Sequence, residues 1–209
     1  MQQLNNKTPT DMKRLHYLFM ALSLMISVVM LSSCEYIEDG RKSMVLSGEW
    51  RGDFGMFYVY RDGRGMEYTF DSYDTRITFI PAYEQAHYGR GTQVDYYDYG
   101  PYEYQYYRFN WSVDGGVIYL TYDYDHDLDT RISDYHMTND YLTGVFDYSG
   151  TSFRLRKIVD YYDWTPYVNT YGYSSRNNWS YTRSAGEELG DSTSKAMEEG
   201  VVVSRGRRG

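Results

Sequence analysis

The chain has 209 residues with a formal net charge of −8, and 27 of its residues are tyrosine. The acidic balance argues against nucleic acid as a partner, because phosphate binding needs a basic surface. It also leaves no polybasic patch for anionic lipid. A single cysteine excludes an intramolecular disulfide and a multi-cysteine zinc site. The length predicts one domain with extensions.

The chain begins with a segment typical of an export signal. The basic residues Lys13 and Arg14 precede an apolar stretch over residues 17–31. This stretch is shorter than the roughly 20 residues that a membrane-crossing helix needs, but it suits the apolar region of a signal peptide. We therefore predict a signal peptide over residues 1–33, with an ordinary buried helix as the alternative.

The only cysteine follows the apolar stretch directly, in Leu31-Ser32-Ser33-Cys34. This run resembles the lipobox of bacterial lipoproteins. The resemblance implies a diacylglycerol group on the Cys34 thiol, cleavage before that residue, and acyl chains such as palmitate in the membrane. Each buried methylene contributes about 0.8 kcal/mol, so two chains anchor a protein stably.

The residues after the cysteine are acidic, among them Glu35, Glu38 and Asp39. They resemble the export tag that sends some lipoproteins of the Bacteroides group to the cell surface. The resemblance implies an outer-membrane lipoprotein of the bacterial cell envelope, with the surface favoured over the periplasmic face. We predict that residues 34–45 form an acidic tether.

From residue 46 the apolar residues alternate with a period of two, which is typical of half-buried strands. Asp-Gly, Asp-Gly-Gly, Asn-Asp and Ser-Gly pairs separate the strands and predict tight hairpins. Sequential hairpins favour an all-β, up-and-down meander that closes into a small barrel of about eight antiparallel strands. The predicted barrel covers residues 46–158, and a β-sandwich is the alternative. A one-residue slip in the apolar pattern at Tyr106 and Tyr107 suggests a β-bulge.

The opening strand carries Gly48-Glu49-Trp50, which looks like the Gly-x-Trp strand of lipocalins and other calycins. The segment 111–120 is also similar to lipocalin-like lipoproteins of the Bacteroides group. The resemblance implies that Trp50 closes one barrel end and that an arginine of the last strand, Arg154 or Arg156, packs across it. It further implies a small hydrophobic or glycan-like ligand, although a small barrel can also be filled by side chains.

Candidate metal and catalytic residues are sparse in the barrel region. Four carboxylates alternate at Asp123, Asp125, Asp127 and Asp129, a spacing that lets acids converge on calcium in a loop. The alternative is a solvated acidic hairpin. No zinc-hydrolase or Gly-x-Ser-x-Gly motif occurs in the sequence. We therefore expect a protein that is not an enzyme and needs no cofactor.

Tyrosines crowd one hairpin of the predicted barrel. Tyrosine offers a broad apolar face and a hydroxyl at low entropic cost, so an exposed set suits recognition of sugars or proteins. The alternative is ordinary cross-strand packing. The predicted binding surface consists of Tyr96, Tyr97, Tyr102, Tyr104, Tyr106 and Tyr107.

The last segment, residues 159–209, is Tyr-rich at first and then polar, and we predict that it becomes disordered and that its terminal basic cluster stays solvated. Two functions remain open. The first is a lipid-anchored envelope protein whose barrel binds a small hydrophobic or glycan-like ligand. The alternative is a structural module that docks another envelope protein through the Tyr-rich hairpin and the tail.

Overall fold

A computed structural model describes residues 17–23, 38–158, 172–175 and 200–208. The chain divides into two compact units, Met1–Glu38 and Asp39–Gly209. In the first unit, residues 17–23 form helix α1, whose side chains are exposed. No helix among the described residues combines the length and apolar character needed to cross a membrane. The predicted lipobox, including Cys34, lies outside the described residues.

The second unit consists almost entirely of antiparallel strands. A short helix, α2, covers residues 38–46 and precedes the first strand. A single 3-10 turn spans His126–Leu128. The strands are β1 (Gly48–Asp53), β2 (Met56–Arg61), β3 (Glu67–Asp71), β4 (Asp74–Pro81), β5 (Tyr88–Tyr96), β6 (Tyr102–Asp114), β7 (Val117–Tyr122), β8 (Thr130–Ile132), β9 (Asp134–Met137), β10 (Tyr141–Val145), β11 (Ser152–Ile158), β12 (Gly172–Ser175) and β13 (Val201–Arg207).

Nine strands form one antiparallel path in the order β8-β7-β6-β5-β4-β1-β11-β10-β9, and β12 pairs with β6 outside that path. Its two end strands, β8 and β9, follow each other in the chain with only Ser133 between them. The sheet is therefore nearly closed into a barrel, and Ser133 N donates to Asp147 Oδ1 across the seam at 3.0 Å. The predicted meander is confirmed, and the β-sandwich alternative is wrong.

A second, three-stranded sheet with the order β13-β2-β3 lies beyond β1. The chain bends from β1 into β2 at Phe54 and Gly55, where Gly55 has φ +70° and its N–H bonds the Asp53 carboxylate at 2.8 Å. The presence of β13 corrects the prediction that the polar second part of the tail is disordered and its basic end solvated. The arginines of β13 donate hydrogen bonds to buried acceptors in the barrel, and amino-acid composition gives no information about such acceptors. The remaining tail residues, 159–171, 176–199 and 209, lie outside the described residues.

Strand β6 supplies much of the barrel interior. Its pairing with β5 runs without a break from Tyr88–Ser112 to Tyr96–Tyr104, so the predicted bulge is wrong. The apparent slip arises because both faces of the strand are covered near its start: Tyr106 on the outer face is as buried as Tyr107 on the inner face. The inward residues are Gln105, Tyr107, Phe109, Trp111 and Val113.

Helix α2 replaces most of the predicted acidic tether. The Asp39 carboxylate accepts hydrogen bonds from the backbone N–H groups of Gly115 and Gly116, both at 2.9 Å. Those two glycines have φ +56° and +77°, as the turn between β6 and β7 requires. The Ser43 hydroxyl donates to the Ala86 carbonyl oxygen. The helix is thus fixed against the barrel end formed by this turn.

Candidate functional site

Trp50 lies at the barrel end beneath α2, and the cation over its ring is Lys157 rather than the predicted Arg154 or Arg156. Trp50 is fully buried, and its Nε1–H donates to the Leu46 carbonyl oxygen at 2.7 Å. Lys157 Nζ lies 5.0 Å from the centroid of the Trp50 ring and donates to the Val45 carbonyl oxygen at 2.6 Å. Burial lowers the pKa of Lys157.

The predicted partners Arg154 and Arg156 are exposed on the outer face of β11. They alternate with the buried Phe153 and Leu155, so strand parity directs them outward. Lys157 has the inward parity and pairs with Trp50 in the register of β1 and β11. Arg154 instead lies over the Tyr141 ring, 5.0 Å from its centroid.

The opposite part of the interior contains an unusual concentration of buried polar side chains. We call this set the interior polar cluster: Thr75, Gln93, Asp95, Gln105, Tyr107 and Tyr122. Asp95 accepts from Thr75 Oγ1 at 2.6 Å and from Gln93 Nε2 at 3.0 and 2.9 Å to its two carboxylate oxygens. These bonds offset part of the cost of burying a carboxylate.

The remaining members of the cluster extend this network. The Tyr122 hydroxyl donates to Gln93 Oε1 at 2.6 Å, and the Tyr107 hydroxyl donates to Gln105 Oε1. Burial raises the pKa of Asp95 to about 7 and that of Tyr122 to about 12. The cluster therefore holds a carboxyl group whose pKa lies near neutral pH.

Strand β13 adds two arginines to the same region. Arg207 donates to the Leu128 carbonyl oxygen at 2.8 Å and to the Tyr122 hydroxyl at 3.1 Å. Arg205 donates to Gln105 Oε1 at 3.1 Å and forms an ion pair with Asp125 at 3.0 Å. Sequence reasoning missed both residues. The available sequence signal was a run of three valines, typical of a strand, followed by two arginines at alternate positions.

These contacts bear on the ligand site that the lipocalin resemblance implies. The inner faces of the described strands are packed with large side chains, including Tyr107, Tyr122, Phe109 and Trp111. The Arg207 side chain enters the interior from the barrel end opposite α2. In the described part of the chain, the interior is therefore filled with side chains and polar at one end.

The predicted tyrosine surface is mostly buried. Tyr97, Tyr102, Tyr106 and Tyr107 have at most 7% of their surface exposed, and Tyr96 and Tyr104 are half-buried. Part of the set packs with the β2–β3 hairpin in a second apolar cluster, which consists of Tyr58, Tyr60, Phe70, Tyr97 and Tyr102. Cross-strand and intersheet packing explains most of these residues, because tyrosine alternation alone does not distinguish the two faces.

Two tyrosines outside that prediction are prominently exposed, Tyr99 at 77% and Tyr73 at 56%. Both line a surface cleft of about 470 Å³, which we call the Tyr73–Tyr99 cleft. Its lining residues are Thr69, Phe70, Asp71, Ser72, Tyr73, Asp98, Tyr99 and Arg208. Arg208 is held there by an ion pair with Asp53 at 2.5 Å. The cleft thus combines aromatic faces with charged hydrogen-bonding groups.

The turn that carries Tyr99 is fixed by the glycine after it. Gly100 has φ +93°, and a Cβ atom there would lie 2.3 Å from the Tyr58 hydroxyl oxygen. A larger residue would displace the turn, so Gly100 sets the position of Tyr99 against the β2–β3 hairpin.

The predicted calcium ligands do not converge. Asp125 pairs with Arg205, Asp129 accepts from the Tyr122 backbone N–H at 2.6 Å, and Asp123 lies 3.6 Å from Arg108. No group of three or more metal-ligating side chains occurs within the described ranges. Each of these three aspartates serves a separate local contact. His126 Nδ1 lies 3.3 Å from Asp129 Oδ2, but on the exposed turn before β8.

No protein-family model matches the chain, and no curated protein matches it. Among solved structures, the chain is similar to a lipocalin-like protein from Bacteroides uniformis at 18% identity. That match covers 55% of this chain and 99% of the other, with a TM-score of 0.32. The strand order and the near closure of the sheet show an up-and-down β-barrel.

Proposed function

We propose that the protein is a lipid-anchored lipoprotein of the bacterial cell envelope whose barrel is a rigid scaffold for binding a glycan-like ligand. The Tyr73–Tyr99 cleft is the binding site in this proposal. The observation that carries it is the presence of two exposed tyrosine rings beside Asp71, Asp98 and Arg208 in one cleft. Barrels of this kind often bind small hydrophobic molecules inside, but this interior is filled where it is described.

The chemistry of the cleft suits a polyhydroxylated ligand. The apolar face of a sugar ring packs on an aromatic ring, while its hydroxyl groups bond carboxylates and guanidinium groups. Tyrosine loses little conformational entropy on binding, which favours it at adaptable polar sites. A volume of about 470 Å³ falls within the range of small-ligand sites.

The site can be tested by titrating defined oligosaccharides, both neutral and amino-sugar, into the purified chain and measuring heat or intrinsic fluorescence. Tyr99→Ala and Tyr73→Ala should each weaken binding by at least about fivefold, because each removes an exposed stacking face. Tyr148→Ala is the matched control, since Tyr148 is 73% exposed and does not line the cleft. Equal effects of Tyr99→Ala and Tyr148→Ala, or no binding of any oligosaccharide, would contradict the proposal.

The proposed anchor is tested separately. Cys34→Ala removes the thiol that would carry the lipid, so the protein should move from the membrane fraction to the soluble fraction. Labelling with a radioactive fatty acid should be lost in the same variant. Retention of the variant in membranes would refute lipid anchoring and would leave the cleft proposal unaffected.

The alternative of a docking module has weaker support. Four of the six tyrosines assigned to that surface pack within the chain itself. The end of the tail, β13, pairs with this chain's own β2. Both contacts reduce the part of the predicted docking surface that is available to another envelope protein.

A further inference from the structure

Strand β13 has an unusual relation to the barrel. The nine-strand path reaches near closure without it, and among the described strands β13 pairs only with β2. Residues 159–200 separate it in sequence from the last barrel strand, β11. The strand therefore adds to the edge of a sheet, in the manner of a bound peptide, rather than completing the meander.

The Arg207 guanidinium group lies in a site built from aromatic rings and hydrogen-bond acceptors. Its Cζ lies 4.4 Å from the ring centroid of Phe146, 5.6 Å from that of Phe54 and 5.7 Å from that of Tyr122. Two of its nitrogens also donate to the Leu128 carbonyl oxygen and the Tyr122 hydroxyl. Aromatic faces together with directed acceptors recognise arginine better than lysine, because the guanidinium group is planar and carries several donors.

A second anchor lies two residues earlier, where strand parity brings it to the same face. Arg205 Nε donates to Gln105 Oε1 at 3.1 Å, and its NH1 group reaches Asp125 at 3.0 Å. Both partners belong to the barrel, not to the small sheet. The two arginines thus bind the barrel, while the β13 backbone binds β2.

The residues between and before the anchors are also constrained. A Cβ atom at Gly206 would lie 2.9 Å from the Phe57 ring, and one at Gly200 would lie 2.3 Å from the Arg61 carbonyl oxygen. The β2 edge therefore selects glycine at these points. The β2 edge and the contacts of Arg205 and Arg207 together favour an Arg-Gly-Arg sequence in an extended strand.

We propose that the edge of β2 and the adjoining end of the barrel form a peptide-binding site for extended Arg-Gly-Arg strands. The C-terminal segment of this chain occupies the site as a resident ligand that exchanges with peptide supplied from solution. This inference does not need a glycan ligand, but it shares Arg208 with the Tyr73–Tyr99 cleft, because release of the segment would take that guanidinium group out of the cleft.

The test uses the full chain with a protease cleavage site inserted after Gly190. After cleavage, the C-terminal fragment should remain associated on gel filtration. It should then exchange, saturably, with a fluorescent synthetic peptide of residues 199–209, while the near-ultraviolet circular dichroism stays native. Arg207→Ala in the peptide should weaken binding by at least about thirtyfold, the effect of losing a central anchor. The affinity of the Arg207→Lys peptide should fall between those of the native and the Arg207→Ala peptides, because lysine keeps the charge and loses the planar stacking.

The matched control peptide carries Ser204→Ala, since Ser204 is exposed, and it should bind within about twofold of the native peptide. A Gly206→Ala peptide should bind more weakly than this control because of the Phe57 ring. Three results would each overturn the proposal: no exchange while the barrel stays native, loss of the native signal on release, or equal affinity of the Arg207→Ala and Ser204→Ala peptides.

Discussion

Replacing Asp95 with asparagine should remove the pH dependence that this carboxyl group imposes on stability. Asp95 is fully buried, and burial raises its pKa to about 7 in the folded protein. In the unfolded chain an aspartate ionises near pH 3.9. The stability contributed by the protonated form is therefore complete below about pH 4 and is lost as the pH rises through 7.

The magnitude follows from the pKa difference of about 3 units, each equivalent to 1.36 kcal/mol, so wild type should lose about 4 kcal/mol between pH 4 and pH 8. The asparagine side chain cannot ionise, but its amide nitrogen cannot accept the second bond from Gln93 Nε2, which costs about 1 kcal/mol. We expect Asp95→Asn to be slightly less stable than wild type at pH 4 and about 3 kcal/mol more stable at pH 8.

Urea unfolding followed by tryptophan fluorescence at a series of pH values measures this difference directly. Subtracting the two curves removes groups that titrate alike in both proteins. Asp147→Asn is a control of opposite sign, because hydrogen bonds from Ser133 and the charge of Arg131 lower the pKa of Asp147. That variant should lose stability relative to wild type above pH 4 and approach it on acidification. Parallel curves for wild type and Asp95→Asn would refute a raised pKa at Asp95.

Three further substitutions test the closed end and the sheet. Lys157→Ala removes a cation over the Trp50 ring and a hydrogen bond to the Val45 carbonyl oxygen, so it should destabilise the protein by about 1–2 kcal/mol. Arg156 is exposed and serves as the control: Arg156→Ala should change stability by less than about 0.5 kcal/mol in the same urea assay. Asp39→Ala leaves two turn N–H groups without their carboxylate and should cost about 1–3 kcal/mol, measured as a lower thermal midpoint. Gly91→Ala would place a Cβ 2.1 Å from an aromatic ring of β6, so it should lower the yield of folded protein or cost about 3 kcal/mol; wild-type stability would contradict that contact.

The barrel was predictable because its signals are local. Each hairpin has its own turn residues, as at Asp114-Gly115-Gly116 and Ser149-Gly150, and each strand alternates with a period of two. Such signals identify strands in chain order, which is sufficient for a meander. They do not reveal which strands leave the barrel. The bend at Gly55, which sends β2 and β3 into a second sheet, requires the three-dimensional structure.

The incorrect predictions concern residues whose partners are distant in sequence. Asp39 was assigned to a tether because the acidic residues after Cys34 resemble an export tag, but its partners lie in the turn at Gly115. Arg205 and Arg207 were assigned to a solvated tail because that segment has little apolar area to offset the entropy lost on ordering. A charge pattern gives no information about a buried acceptor elsewhere in the chain. Arg154 or Arg156 was preferred over Lys157 from a family resemblance, although strand parity favours the lysine.

Tyrosine was the least informative residue type in the candidate site. Its side chain is stable in the core and at the surface, so alternation predicts its face and not its burial. Tyr102 and Tyr106 face outward from β6 and are nevertheless covered. Tyr99 lies in a turn, outside any alternating pattern, and is the most exposed of the three. Turn position was therefore a better indicator of an accessible tyrosine than the density of tyrosines in a strand.

The seam at Ser133 has a consequence for how neighbouring molecules meet. A sheet that ends in long, flat strands offers unpaired amide and carbonyl groups to other copies, which promotes aggregation. Here the path ends in β8 and β9, of three and four residues, and the chain itself turns from one into the other. The Asp147 carboxylate also occupies the Ser133 amide and hydroxyl. At high protein concentration, the barrel wall should therefore offer few unpaired backbone groups for strand pairing between molecules.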